Sequence, residues 1–245
     1  MKLGILGAKG RMGGMLSREI SSGAYGATLA AAIDKDSSAA EKEAAFEICD
    51  ALIDFTTPEA AMEHAVLASR HKKPLVVGTT GLTEAEEAAL KTAALKTAVF
   101  YSANMSVGVS VLAALVEQVA ARLNGEFDIE IFEAHHRHKV DAPSGTALAL
   151  ATAAIKGRGI KTGDALIESR HAGGTRTPGS IGMSVFRGGD VVGEHTVTFA
   201  GPGERIELTH KASDRAIFAK GALKAALWLQ DKKPGIYSMR DILGL

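Results

Sequence analysis

Residue types capable of chemistry concentrate in one stretch, Glu133-Ala134-His135-His136-Arg137-His138-Lys139-Val140-Asp141-Ala142-Pro143-Ser144-Gly145-Thr146-Ala147. From His135 to Lys139 every side chain is an imidazole, a guanidinium or an ammonium. Packed together, such groups repel one another unless an anion balances them. Pro143 breaks the strand expected before it, and Ser144-Gly145-Thr146 reads as the start of a helix, whose backbone N–H groups form a second anion site. A cationic patch facing a helix N-terminus suits a small substrate with two carboxylates. An imidazole is also suited to a proton step, because its ordinary pKa lies near working pH. The three histidines lack the i, i+4 spacing of a helical zinc site and no cysteine joins them, so no metal is expected. On a continuing strand, His136 and His138 would face one way and His135 and Arg137 the other. Ser144 sits in Pro-Ser-Gly-Thr, which is not a nucleophile elbow, and it reads as a helix cap.

A second pattern opens the chain. Gly7-Ala8-Lys9-Gly10-Arg11-Met12-Gly13 lies between an apolar run and a helical one. The spacing is G-x-x-G-x-x-G rather than the usual G-x-G-x-x-G, but strand, tight turn and helix start occur in the order that holds a pyrophosphate. Asp34 ends the second apolar run, about where a carboxylate would bind a ribose. Lys35 beside it, with Lys9 and Arg11, could meet a 2′-phosphate instead. The pattern indicates a nicotinamide dinucleotide, NADH or NADPH, without choosing between them. Gly78-Thr79-Thr80-Gly81 and Ser102-Ala103-Asn104-Met105 follow two further strands, at the carboxyl ends where open α/β sheets bind ligands.

The elements that must position these residues fall into two styles. Strands are expected at Leu3–Leu6, Thr28–Ile33, Ala51–Phe55, Leu75–Val77 and Ala98–Tyr101. Helices alternate with them at Arg11–Ser21, at Glu59–Arg70 behind Pro58, and after a capping box at Thr83–Glu86. That rhythm predicts a Rossmann-type, doubly wound parallel sheet. Beyond about residue 105 comes a long apolar helix, Gly108–Leu123. Period-two strands follow at Asp128–Glu133, Ile181–Arg187, Val191–Ala200 and Arg205–His210, predicting an α+β domain with an open mixed or antiparallel sheet. Gly188-Gly189 signals a hairpin between two of these strands and Pro202-Gly203 marks another turn. Ile155–Thr177, rich in Gly, Lys, Arg and Thr, reads as a mobile surface loop. Ser213 is a candidate cap for a last helix, Asp214–Gln230, packing back on the first domain. The expected division is residues 1–105 with 214–245 for the dinucleotide, and 106–213 for substrate and oligomerisation.

Composition narrows the function class. The 245 residues carry 28 Lys+Arg and 28 Asp+Glu, so no global field draws the chain to nucleic acid or an anionic membrane. No apolar run reaches the length of a membrane span, and the N-terminal apolar stretch is too short for a signal peptide. Cys49 is the single cysteine, which excludes an internal disulfide and fits a reducing compartment, so the cytoplasm is expected. Its simplest reading is a small buried side chain.

The segment from Glu133 to Ala147 resembles the signature of the 4-hydroxy-tetrahydrodipicolinate reductase family, essentially unbroken. Other blocks match in order along almost the whole chain. They are Gly7–Gly13, Asp54-Phe55-Thr56 with Pro58, Gly78–Gly81, Asn104–Val109, Gly189–Thr196 and Thr209–Ser213. The resemblance implies NAD(P)H-dependent reduction of dihydrodipicolinate in lysine and diaminopimelate biosynthesis, by a homotetramer associating through its substrate domains. It implies that His135 is the proton donor/acceptor and Lys139 a second proton donor. His136 would bind substrate, and Gly145 and Thr146 would hold a substrate carboxylate. For the cofactor it implies Gly7, Ala8, Lys9, Gly10, Arg11 and Met12 at the pyrophosphate, Asp34 and Lys35 at the adenosine ribose, and Gly78, Thr79, Thr80, Ser102, Ala103, Asn104 and Met105 at the remaining contacts. Ser102, Met105 and Ser110 depart from the family's common residues, and the loop Lys156–Gly174 is trimmed. Two rival readings are a non-catalytic dinucleotide-binding sensor and a reductase of another small dicarboxylate.

Overall fold

The structure, a computed structural model, describes residues 1–123, 125–161, 167–169 and 174–245, without the side chain of Glu168. The chain divides into two compact units, Met1–Val107 with Ala216–Leu245, and Gly108–Arg215.

The first unit is built on a six-stranded sheet. Its strands are β1 (Lys2–Leu6), β2 (Thr28–Ile33), β3 (Ala51–Asp54), β4 (Leu75–Val77), β5 (Ala98–Tyr101) and β11 (Gly235–Tyr237), and every pairing is parallel. The order is β11-β5-β4-β3-β1-β2. Strands β1, β3, β4 and β5 are short apolar runs buried along nearly their whole length, as a sheet covered on both faces requires. On one face Leu16 and Ile20 of α1 (Arg11–Ser21) and Ala219 to Leu229 of α7 (Ala216–Leu229) pack on Leu3, Ile5, Ile53 and Phe100. On the other lie α2 (Ala39–Ile48), α3 (Pro58–His71) and α4 (Glu84–Ala93), over Leu6, Leu52, Leu75 and Val99.

Helix starts follow their caps. Thr57 accepts from the Ala60 amide with Pro58 in the first turn of α3, and Thr83 with Glu86 forms the expected capping box of α4. α2 was not among the expected elements. Its Ala- and Glu-rich sequence gives little apolar periodicity, yet Ser38 and Glu41 close a capping box that starts it. α7 begins at Ala216, two residues later than expected.

The second unit has a five-stranded sheet in the order β10-β9-β6-β8-β7. Its strands are β6 (Asp128–His135), β7 (Ile167–Ser169), β8 (Ile181–Arg187), β9 (Gly193–Gly201) and β10 (Glu204–Ala212). The sheet is mixed, since β6 runs parallel to β8 and antiparallel to β9. Helices α5 (Val107–Arg122) and α6 (Gly145–Gly157) cover one face, where Leu112, Val116, Leu150 and Ala154 meet Ile129, Ile131, Val197 and Phe199. The expected β9–β10 hairpin at Pro202-Gly203 is present.

Two expectations are corrected here. Gly188-Gly189 does not close a hairpin, because β6 lies between β8 and β9; the two glycines instead bond to the end of β6, Gly188 N–H to the His135 carbonyl and Arg137 N–H to the Gly189 carbonyl. Ile155–Thr177 is not all loop, since α6 runs on to Gly157 and Ile167–Ser169 pairs with β8. Residues 162–166 and 170–173 of that segment lie outside the described residues.

Candidate active site

In the second unit, His135 is the last residue of β6 and Glu133 lies two before it, on the same face of the strand. The strand ends there, so His136 and His138 stand in the following turn rather than on a strand face as expected. Glu133 is fully buried. Its Oε2 accepts from His135 Nδ1 (2.5 Å) and Arg187 Nη1 (2.8 Å), and its Oε1 from Arg187 Nη2 (2.7 Å) and the Ser144 amide (2.9 Å). Burial pushes the Glu133 carboxyl up, but Arg187, His135 and the Ser144 amide outweigh it and hold it below the usual carboxylate range. Part of the anion that the cationic stretch demands is therefore supplied by the protein itself.

Burial lowers the His135 pKa from the ordinary histidine value, with Lys139 and Arg187 acting in the same direction and Glu133 opposing. Lys139 Nζ pairs with Asp141 at 2.9 Å, which holds the Asp141 carboxyl low. His136 Nε2 is 2.7 Å from Arg215 Nη2. Burial and that guanidinium lower the His136 pKa.

Ser144 caps α6, its Oγ accepting from the Ala147 amide. Gly145 and Thr146 form the first turn of that helix, whose dipole adds positive potential. Ser144 Oγ also lies 3.1 Å from Nε2 of His195 on β9. His195 is buried, stands edge-on to His135 with ring centroids 5.1 Å apart, and burial lowers its pKa to about 4. Sequence reasoning assigned no role to Glu133, Arg187 or His195. The available signal was positional: Glu133 and His195 share the core face of their strands with Ile131 and Val197.

The first unit brings part of the expected dinucleotide set together, the turn after β1 and the end of β2. Gly7 and Ala8 amides donate to the Ile33 carbonyl, bending the chain sharply after β1. Gly7 has φ +87°, and a Cβ on Gly13 would fall 2.2 Å from the Gly7 carbonyl oxygen, so α1 approaches the loop only because residue 13 has none. Gly10 is the N-cap of α1 and makes no side-chain cap bond. The amides of Arg11 and Met12 in that first turn have no acceptor within the helix, as pyrophosphate binding requires. Asp34 accepts from the Lys9 amide (2.6 Å) and the Lys35 amide (2.8 Å), and these bonds hold its carboxyl below the usual carboxylate range. Lys9 Nζ reaches Asp36 at 2.5 Å.

A cavity of about 300 Å³ is bordered by Gly7, Gly10, Asp34, Lys35, Phe55 and His64. It lies where the order β2-β1-β3 changes direction, the point at which such sheets bind ligands. Phe55, Thr56, Thr57, Lys42 and His64 join this wall without having been assigned to it from sequence. Gly78 and Thr79 are buried behind it and Thr80 is exposed. Thr79 Oγ1 donates to Asp54 (2.9 Å) and accepts from the Thr56 amide (2.9 Å), so it braces the wall from within. Ser102 Oγ donates to the Asn104 carbonyl (2.7 Å), Asn104 Oδ1 accepts from the Ser106 amide (2.8 Å), Ala103 is exposed, and Met105 is in the core. These last residues form a compact turn after β5 and do not border the cavity. Among the described residues no group of three His, Cys, Asp or Glu could hold a metal ion, and no helix is long and apolar enough to cross a membrane.

Residues 1–105 match the family model described as dihydrodipicolinate reductase, N-terminus, and residues 108–243 the one described as its C-terminus. The chain belongs to the dihydrodipicolinate reductase family. It is 48% identical to the 4-hydroxy-tetrahydrodipicolinate reductase of Zymomonas mobilis, over 100% of this chain and 98% of that one. It is 49% identical to that of Ruegeria pomeroyi, over 100% and 90%. Among solved structures, a dipicolinate-bound dihydrodipicolinate reductase from Paenisporosarcina superposes with a TM-score of 0.74, 22% identity and 99% coverage of both chains, showing the shared fold. As a member of this family the protein is an NAD(P)H-dependent oxidoreductase with a dinucleotide-binding N-terminal domain.

Proposed function

We propose that the chain reduces dihydrodipicolinate, formed from 4-hydroxy-tetrahydrodipicolinate by loss of water, to tetrahydrodipicolinate. The observation that carries this reading is the convergence in one unit of the buried His135, the cation Lys139 and the positive start of α6, all within reach of Glu133 or its partners. Bound NADH or NADPH supplies the hydride, and the Gly7–Met12 turn, Asp34 and Lys35 fit its pyrophosphate and adenosine ribose. One substrate carboxylate meets the amides of Gly145 and Thr146 at the helix start. The other is met by His136, beside Arg215. Lys139, which is paired with Asp141 across 2.9 Å, exchanges that partner for substrate and steadies negative charge developing toward the ring nitrogen. His135 Nε2 delivers the proton that completes the reduction, while the Nδ1 proton stays on the ring, donated to Glu133. Both carboxylates of a rigid ring are thereby held and the proton donor is placed against it, which is the orientation effect the protein contributes.

The face of the second sheet turned away from α5 and α6 leaves Phe132 43% and Phe186 47% exposed. We take it as the face through which four copies associate, in the cytoplasm, as the family resemblance implies.

A coupled assay tests the function. Dihydrodipicolinate synthase would generate substrate from pyruvate and aspartate semialdehyde, and this protein would be added with NADH and NADPH in turn. Cofactor oxidation requiring both proteins is the expected result, and the ratio of rates sets cofactor preference. Dinucleotide binding without oxidation would overturn the reading in favour of a sensor.

A further inference from the structure

In the second unit, the carboxylate of Glu133 touches three separate parts of the candidate site. It sits on β6 beside His135, receives both terminal nitrogens of Arg187 from β8, and accepts the Ser144 amide at the start of α6. Arg187 in turn donates to the Asp141 carbonyl at 2.6 Å, drawing in the chain between Lys139 and Ser144. We propose that Glu133 is a positioning residue for the reductase: one buried carboxylate that fixes the tautomer of His135 and anchors the helix start that receives the substrate carboxylate.

The argument is stereochemical first. An ionised carboxylate only accepts hydrogen bonds, so the 2.5 Å contact requires the proton on His135 Nδ1. In the neutral ring Nε2 then carries the lone pair, and it is the atom through which His135 gains and loses its exchangeable proton. The opposite tautomer would set two acceptors against each other between two buried side chains. The same carboxylate holds the Ser144 amide at 2.9 Å, so the donor ring and the first turn of α6 are referred to one rigid group. Four hydrogen bonds, two from a guanidinium, leave that group little freedom.

Electrostatics act in the same direction. The groups facing His135 are Glu133 on its own strand, Arg187 on β8, His195 on β9 and Lys139 after the strand. Of these only Glu133 favours the imidazolium, while burial, Lys139 and Arg187 disfavour it. A donor that must be protonated before transfer needs such support.

This inference rests on the reading of His135 as the proton donor, and the experiment separates the two. Glu133→Gln keeps the size of the side chain and removes its charge. The expected result is a His135 pKa lowered by about one unit or more, so that the alkaline limb of the kcat/KM profile begins at lower pH. Nitrogen-15 shifts of the His135 ring should change from an Nδ1–H form in the parent to a tautomer mixture in the variant. Glu133→Asp should restore part of the profile. A purely structural role would lower thermal stability and the height of the profile without moving it. An unmoved profile together with a retained Nδ1–H tautomer overturns the proposal. If the variant does not fold, the parent ring alone decides, since a neutral Nε2–H form there also overturns it. The tautomer is read without turnover; failure of the proton-donor reading would instead appear as full activity in His135→Gln.

Discussion

At the residue scale, two histidines share a wall and have different work. His135 is hydrogen-bonded to a carboxylate and placed for proton transfer, so His135→Gln should lower kcat by about 10²- to 10⁴-fold, with the NADH dissociation constant unchanged by calorimetry. Equal loss of turnover and binding would mean misfolding and would count against the role. Among the described residues His195 has no carboxylate partner; it is buried, and its pKa falls from 6.5 to about 4. A depressed histidine stabilises the fold fully above pH 6.5, and that contribution fades as pH drops from 6.5 toward about 4, because the unfolded chain takes up the proton first. Between those limits the effect amounts to about 3 kcal/mol for one group. His195→Gln can still meet Ser144, so its melting temperature relative to the parent should rise as pH is lowered from 7 to 4.5. A constant difference across that range would rule the linkage out. Neither His195 nor Glu133 could be assigned from sequence, because a polar residue on a core-facing strand position acquires its meaning only from the neighbouring strands.

At the scale of elements, the glycine loop was legible because its chemistry is local. A strand, a turn with φ +87° at Gly7 and a helix start follow one another within a few residues. Gly13→Ala brings a methyl group to 2.2 Å from a backbone oxygen, which neither α1 nor the loop can accommodate without moving. We expect at least tenfold weaker NADH binding by fluorescence titration and a loss of about 1–3 kcal/mol in stability. Unchanged affinity would show that α1 does not carry the pyrophosphate. The connection after β8 was misread for the opposite reason. Gly188-Gly189 has the composition of a two-residue hairpin, but strand adjacency is set by distant sequence, and β6 takes the position between β8 and β9. The wall of the dinucleotide cavity was partly hidden likewise, since Phe55 reaches it from the end of β3 and His64 from α3, while their sequence context is that of an ordinary strand–helix junction.

At the scale of the whole molecule, the parallel first sheet and the mixed second one were both legible in the change from helix-separated apolar runs to period-two strands. Phe132→Glu places a charge in the middle of the open face of the second sheet, next to Thr196 and Ser184 on the adjacent strands. Sedimentation should then report a mass close to one 25.5 kDa chain rather than four, and an unchanged mass would locate the interface elsewhere.

The first unit is also discontinuous, and this has a bearing on how the protein is made. α7 and β11 come from the last segment of the chain, yet Ala219, Ala222, Leu223 and Leu229 are fully buried against β1, β3 and β5. While a ribosome is still translating that segment, the apolar face that α7 will cover has no permanent occupant, although the strands beneath it emerged first. Among the described residues, the core of the second unit is built from Leu112 to Leu208, all made before α7. A nascent chain can therefore finish its second unit before its first, and capture of a dinucleotide on an immobilised analogue would select chains in which α7 has already been made.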